Sequence, residues 1–537
     1  MKRLLLVAVA FVFSTLIISA QETVQDLSKK AGKGFLLSAA NADGAYTITY
    51  KIPGDKKKNE IFYETYQFDN NLKFVKNEEI SEPKISAEDK PDKTVSGFYA
   101  SVGGCSSFEI LSMKLKFTKY SDLKTWDCRK QQYVFKKGIT SEVIKPKNGN
   151  DKYYGFAAFN STVDESLFVL AGLESRAHKD GMDFFVLGVT PELEITAKPV
   201  DVSGSQSLVY SHQLDNGDVV LVFAPQKGEP DITAYTYLKY SDKGEMKNKV
   251  IFKSPSPNLL IQDVSEDNGS VFFCATSTKS KEAYGEVFEN YAASIVNPCF
   301  TEGKNKLDFK WLKKSGEKME SFHLLKFTDS KLDFATTAAI SDFKSKFKTS
   351  PGDKGAEPYK GGKFTIQQFK VTPQGEYLIA GQLNDRTNLG LGNPVNTYED
   401  VVCLHFDQAG QLKAQYGVGK LNNDKKSEIF PMVQKFVPSK DGKALYWVIM
   451  EVKGFKGYED FFAAYAGNAT YFPRYYPRIA KFDLSNSSIS AFSVLGNEKF
   501  YVTKNFTPIA NKADNSYVFV GSDEDYKKLW VSKYMFQ

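Results

Sequence analysis

The chain has 537 residues, 42% of them hydrophobic and 14% aromatic, which supplies ample material for a folded core and excludes a disordered polar chain. Its formal charge of +6 is close to neutral for this length, and no single stretch carries the concentrated basic footprint that nucleic-acid binding requires. Five cysteines without a Cys-x-x-Cys or zinc-ligand spacing exclude the common structural zinc motifs.

At the amino terminus, Lys2 and Arg3 precede an uncharged apolar run from Leu4 to Ile18, and Ser19-Ala20 precedes the polar Gln21. This is the pattern of a secretory signal peptide spanning 1–20, and the run is shorter than the ~20 residues of a membrane span. No cysteine follows the cleavage point, so a lipoprotein anchor is not indicated, and no later stretch is apolar enough to cross a bilayer. The expectation is a periplasmic protein, with secretion as the alternative, and no transmembrane segment in the mature chain. An oxidising compartment permits the pairs Cys105–Cys128 and Cys274–Cys299, leaving Cys403 as a small buried hydrophobe.

From residue 21 onward a two-part pattern recurs. A tight polar turn leads into an apolar strand at Asp43-Gly44, Asp164-Glu165, Asp215-Asn216-Gly217, Asp267-Asn268-Gly269, Pro373-Gln374-Gly375, Asp441-Gly442 and Asp514-Asn515. An aromatic strand end, a second turn and another strand follow, as at Phe68-Asp69-Asn70, Tyr240-Ser241-Asp242 and Phe406-Asp407-Gln408. Self-similarity at this period predicts an all-β chain, a β-propeller of about eight four-stranded blades, with seven as the alternative, in a single domain over 21–537. The units run from Gly34 to Ile80, Phe98 to Lys137, Tyr154 to Val200, Leu208 to Lys253, Leu260 to Ala339, Phe364 to Lys420 and Val433 to Val494, with a last one from Phe506. That last unit has only three strands, and an unpaired edge is a liability. Residues Glu22 to Lys30 are expected to add its outer strand and close the ring.

The turns within this pattern share one face of the disc, and the long insertions share the other. Those insertions cover about 277–321, 342–362, 383–399 and 452–477, and long loops in compact domains are often functional. The 452–477 insertion holds Phe455, Tyr458, Phe461, Phe462, Tyr465, Tyr471, Phe472, Tyr475 and Tyr476 beside Arg474. With Trp311 and Arg386 from the neighbouring insertions, these are the candidate partner-binding residues, because aromatic and Arg side chains are enriched at interfaces. Phe288 and Tyr291, three apart, suggest a short amphipathic helix in the first insertion.

No catalytic constellation stands out. The four histidines, His178, His212, His323 and His405, fall in different units, and His405 reads as a satisfied blade histidine. There is no nucleophile elbow, phosphate loop, metalloprotease motif or calcium loop. The segment Tyr120 to Trp126 resembles a strand-end motif of some propeller glycosidases and a sialidase Asp-box without its glycine, at a place where an ordinary blade turn is expected. The abundance of Lys over Arg, with Asn, Asp and aromatics, resembles secreted proteins of the Bacteroidota. The size, signal-peptide start and repeats resemble the periplasmic plug subunit of the Type 9 secretion translocon. The absence of a catalytic constellation favours a non-catalytic propeller without a cofactor or metal, not an enzyme, and the resemblance adds its partner. It would bind a cell-envelope protein, as an accessory or plug of an outer-membrane channel. The alternative is a secreted propeller that binds or cleaves glycans.

Overall fold

The structure is a computed structural model. It describes residues 20–537 other than 43, 55–59, 84–97, 102–105, 112–113, 121–123, 128–131, 135–137, 145–151, 162–165, 175–181, 191–193, 291–309, 313–317, 330, 354–355, 388–394, 422–429, 455–473 and 504–507. The expected signal peptide, apart from Ala20, and the expected Cys105–Cys128 pair lie outside these residues, as does Cys299.

Among the described residues, eight antiparallel sheets of four principal strands each follow one another along the chain, so the propeller has eight blades. First strands of successive blades pack together from the fourth to the seventh, and the first strand of blade eight packs on that of blade one, which closes the ring. The turn half of the sequence pattern has a direct cause. Gly217, Gly244, Gly375, Gly410 and Gly442 all take positive φ, a region a side chain disfavours. Each donates its N–H three residues back, as Gly217 does to Leu214 and Gly410 to Asp407. The chain therefore reverses within a few residues at the same place in blade after blade.

The aromatic half of the pattern seals one blade to the next. Tyr240, Phe327, Phe406 and Phe482 are all buried at the ends of third strands. Each ring reaches back to the preceding blade: Tyr240 to Phe168 at 5.8 Å, Phe327 stacked on Tyr237 at 4.5 Å, Phe406 on Phe322 at 5.4 Å, and Phe482 edge-on to Tyr416 at 5.1 Å. Such pairs contribute ~0.5–1.5 kcal/mol beyond area burial. A second repeated feature has no composition signal. The first strands of blades one, three, four, five and six each carry a register shift opposite the second strand, for example between Ile261 and Asp263. A bulge there bends the innermost strand.

Blade eight is built from Ile509–Asn511, Ser516–Ser522 and Lys528–Met535, with Ala20–Asp26 paired antiparallel to the last of these. Blade two runs further than expected. Its fourth strand is Gly138–Ile144, because a small hairpin, Lys124–Asp127 with Gln132–Val134, stands where a plain turn was read.

The described parts of three insertions form regular structure. In blade six the second and third strands extend to Tyr377–Thr387 and Val395–Phe406, so most of 383–399 is a protruding hairpin. The 342–362 connection begins as a 3-10 helix, Ile340–Lys346, which buries Phe343, and Phe347–Thr349 then pairs in parallel with the outer strand of blade six. In blade five the expected amphipathic helix is a single turn, Tyr284–Val287, and Phe288 already belongs to a short strand.

Candidate functional site

Blade five carries the most chemically distinctive group of side chains on the insertion-bearing side. Its strands are Leu260–Asp267, Ser270–Ser277, Ser321–Phe327 and Leu332–Ala339. Ser277 ends the second strand and Ser321 opens the third, so the insertion leaves and returns there. Ala275 pairs with His323 and His323 with Thr337, which puts the imidazole and both flanking hydroxyls on one face of the sheet. Pro255, Ser256 and Pro257, from the connector between blades four and five, form the opposite wall.

The cavity between these walls measures about 230 Å³. Hydroxyls dominate it: Ser256, Ser277, Thr278, Ser280, Ser321 and Thr337 all line it, with Lys279, Lys281 and Glu320 as its charged groups. The walls are held rigidly. Asn258, fully buried, donates to the Ser280 carbonyl at 2.8 Å and accepts from the Thr278 N–H at 2.9 Å. The Tyr235 hydroxyl donates to the Pro257 carbonyl at 3.0 Å, and the Glu320 N–H donates to the Ser277 carbonyl at 2.8 Å.

His323 is 2% exposed and meets the Ser277 hydroxyl with Nε2 at 2.8 Å and the Thr337 hydroxyl with Nδ1 at 3.1 Å. Burial pushes the ring below the ordinary histidine value, to about 4, against the opposing pull of a hydrogen bond to the Thr336 backbone. That ring is neutral at physiological pH, with one donor and one acceptor nitrogen. In the tautomer that carries its proton on Nδ1, towards the Thr337 hydroxyl, Nε2 keeps its lone pair and accepts from Ser277.

This burial has a pH signature. Unfolded, the ring takes a proton near pH 6.5; folded, only near 4. The unfolded chain therefore binds more protons in between. The stability this group confers is complete above pH 6.5 and falls by about 3 kcal/mol as pH drops towards 4. His323→Gln removes that component, so its unfolding midpoint should decline less between pH 7 and 4 than the wild type's. Parallel declines in denaturant titrations at each pH would contradict the assignment.

A second buried cluster lies between blades six and seven. Arg478 donates to Glu451 at 2.5 Å, to Asp353 at 3.4 Å and to the Gly419 carbonyl at 3.1 Å, and its guanidinium lies 4.9 Å from the Phe492 ring centre. Burial raises the Glu451 carboxyl above its ordinary value, with Arg478 opposing. These groups bind one another, so the cluster ties blades together.

The sequence-derived candidates fall into three places. Arg474, Tyr475 and Tyr476 are buried in the third strand of blade seven, Arg474–Asp483, where Arg474 reaches Glu524 at 3.3 Å; they pack the blade and do not form an exposed face. Trp311 lies in the short strand Lys310–Leu312 opposite Glu289, and Arg386 in the protruding hairpin opposite Asn396. Phe455, Tyr458, Phe461, Phe462, Tyr465, Tyr471 and Phe472 lie outside the described residues. Cys403 is a buried thiol, and His405 is satisfied at Nε2 by Glu376 at 2.7 Å. Sequence reasoning passed over Ser277 and His323, which are 46 residues apart with no motif between them. The one usable signal was the insertion itself, whose expected limits were Ser277 and Ser321.

No family model matches the chain, and no curated protein sequence does. Among solved structures, a mutant puromycin hydrolase is similar at 8% identity and a TM-score of 0.31, over 92% of this chain. This chain spans only 60% of that one's length. An α-L-arabinofuranosidase of Fusarium graminearum is similar at 10% identity and a TM-score of 0.25, over 70% of this chain and 91% of that one. The polysaccharide lyase Uly1 is similar at 11% identity and 0.26, over 93% and 90%. These neighbours are enzymes. They run against the two expectations of a non-catalytic partner-binding propeller and of no enzymatic role, and at these TM-scores they assign no role to this chain. Their own substrates belong to them, and the site above stands on its own geometry. No helix among the described residues is long and apolar enough to cross a membrane.

Proposed function

We propose that this propeller acts on carbohydrate, and that the blade-five cavity holds a single sugar unit. The observation that carries this reading is the lining: six Ser and Thr residues around one cavity, with Thr278 and Ser280 locked by bonds to Asn258 and Glu282 so that the wall is rigid. A polyol presents donors and acceptors on every edge, and a rigid hydroxyl-bearing wall can match them without ordering flexible side chains. The volume of about 230 Å³ is below the ~300–1,000 Å³ of pockets for drug-sized ligands, which suits one ring of a longer chain. Lys279 and Lys281 at the same cavity favour a sugar that bears a carbonyl or an anionic substituent.

A glycan microarray followed by calorimetry tests this. Thr337→Val keeps the shape of an exposed residue and removes one hydroxyl. Loss of one hydrogen bond of about 1 kcal/mol should weaken glycan binding roughly fivefold with the fold unchanged. Absence of binding to every polysaccharide at millimolar sugar, or an affinity indifferent to this substitution and to Lys281→Ala, would end the proposal.

A further inference from the structure

We infer that Ser277 is a nucleophile activated by His323, and that the cavity removes short acyl esters from a sugar. The sugar half of this statement rests on the reading above; the nucleophile stands on separate observations. Ser277 and His323 are 3% and 2% exposed, yet both line the cavity, so what reaches them comes through it. The Ser277 hydroxyl lies 2.8 Å from His323 Nε2, the nitrogen that can take its proton in the Nδ1–H tautomer. The other ring nitrogen, Nδ1, lies 3.1 Å from the Thr337 hydroxyl, which holds the ring's orientation. Nucleophile, base and an orienting hydroxyl make up the kind of arrangement that activates a serine, independent of fold.

The surroundings leave the hydroxyl available. The Ser277 carbonyl is taken by the Glu320 N–H, and the next N–H, that of Thr278, is taken by Asn258. Backbone on both sides is therefore pinned, and Ser277 lines the cavity with its hydroxyl bonded to His323. Lys279 and Lys281 are the cationic residues of the lining, the charge that a developing oxyanion would need.

The reaction balances with water as the only co-reactant. Ser277 Oγ bonds to the ester carbonyl carbon while its proton passes to His323 Nε2. The bond from that carbon to the sugar oxygen breaks, and His323 returns the proton to the departing sugar hydroxyl. Water then adds to the acyl-serine, again giving its proton to Nε2. The carboxylic acid leaves and Ser277 regains its proton. No carboxylate pair is needed, which agrees with Glu320 being the one acidic group in the cavity lining.

The full chain is treated with a fluorophosphonate probe and mapped by peptide mass, and acetate release is measured from p-nitrophenyl acetate and from an O-acetylated polysaccharide. One adduct on Ser277 is expected, absent in Ser277→Ala and formed about 100-fold more slowly in His323→Gln. Because His323→Gln changes a buried group, Ser277→Cys serves as the second probe: its new thiol should be alkylated by iodoacetamide much faster than Cys403, which is buried in blade six. No adduct together with an unreactive thiol in the Ser277→Cys variant overturns the nucleophile, as does labelling that persists in Ser277→Ala. The two proposals separate cleanly. Glycan binding retained by wild type and Ser277→Ala without any adduct sinks this inference and leaves the carbohydrate reading standing. An adduct and p-nitrophenyl acetate hydrolysis without acetate release from the polysaccharide support the nucleophile and overturn its sugar substrate.

Discussion

Deleting Ala20–Asp26 should turn a closed ring into an open, self-associating one. These seven residues form the outermost strand of blade eight, paired along their length with Lys528–Met535. Their side chains add to the ladder: Glu22 accepts from the Gly496 N–H at 3.1 Å and from the Ser532 hydroxyl at 3.3 Å, and Asp26 accepts from Lys528 at 2.6 Å. At about 1 kcal/mol for each ladder bond, the deletion costs roughly 5 kcal/mol. It also bares the edge of Lys528–Met535, whose Leu529, Trp530 and Val531 are fully buried in the intact protein. Exposed, hydrophobic strand edges pair with one another. Light scattering should show larger assemblies than the intact chain forms, and thermal unfolding should begin earlier. A synthetic peptide of residues 20–27 supplied in trans should reverse both effects. A deletion variant with unchanged scattering and an unchanged unfolding midpoint would show that the strand is dispensable for closure.

Glu451→Ala should destabilise the protein by about 3–5 kcal/mol, because it strands a buried guanidinium. Glu451 is wholly buried and Arg478 is 4% exposed. Besides holding Arg478, the Glu451 carboxylate accepts from the Leu421 N–H, so its loss also leaves a backbone donor without its acceptor. Asp353 remains near Arg478 at 3.4 Å, but it already accepts from the Gly419 N–H at 3.1 Å. The informative comparison is the double variant Glu451→Leu/Arg478→Met. It removes both charges and should recover most of the loss, since well-packed apolar pairs often replace buried ion pairs at little cost. Thermal unfolding of the double variant and the two single ones measures this. A double variant as unstable as the sum of the two singles would mean that the charges act independently rather than as a pair.

Much of the architecture was legible because it repeats. Asp-Gly and Asn-Gly turns have a local cause, positive φ at glycine, and the aromatic at each third-strand end has a nearly local one, so both leave a mark at fixed spacing. The missing fourth strand of the last blade was likewise readable from the cost of an open edge. Blade two was read short because its extra hairpin interrupts the period without breaking it. Tyr475 and Tyr476 were read as part of an interface because composition does not say where a strand ends and a loop begins. Their burial, on opposite faces of the strand Arg474–Asp483, shows that both pack within the propeller.

The sequence by itself determined the all-β class, a propeller of seven or eight blades, the closure of the ring and the face on which the long segments emerge. Each follows from interactions between residues close in the chain, or from a pattern that recurs often enough to be counted. Tertiary structure alone decided where the chemistry lies. Ser277, His323 and Thr337 come from three strands, and the wall opposite them comes from the connector that leads in from the previous blade. Their meaning depends on a 2.8 Å contact, on burial that keeps the imidazole neutral, and on a hydroxyl from a third strand that holds the ring. None of these is a property of residues near one another in the chain, and a serine and a histidine that meet only once leave no repeat to read.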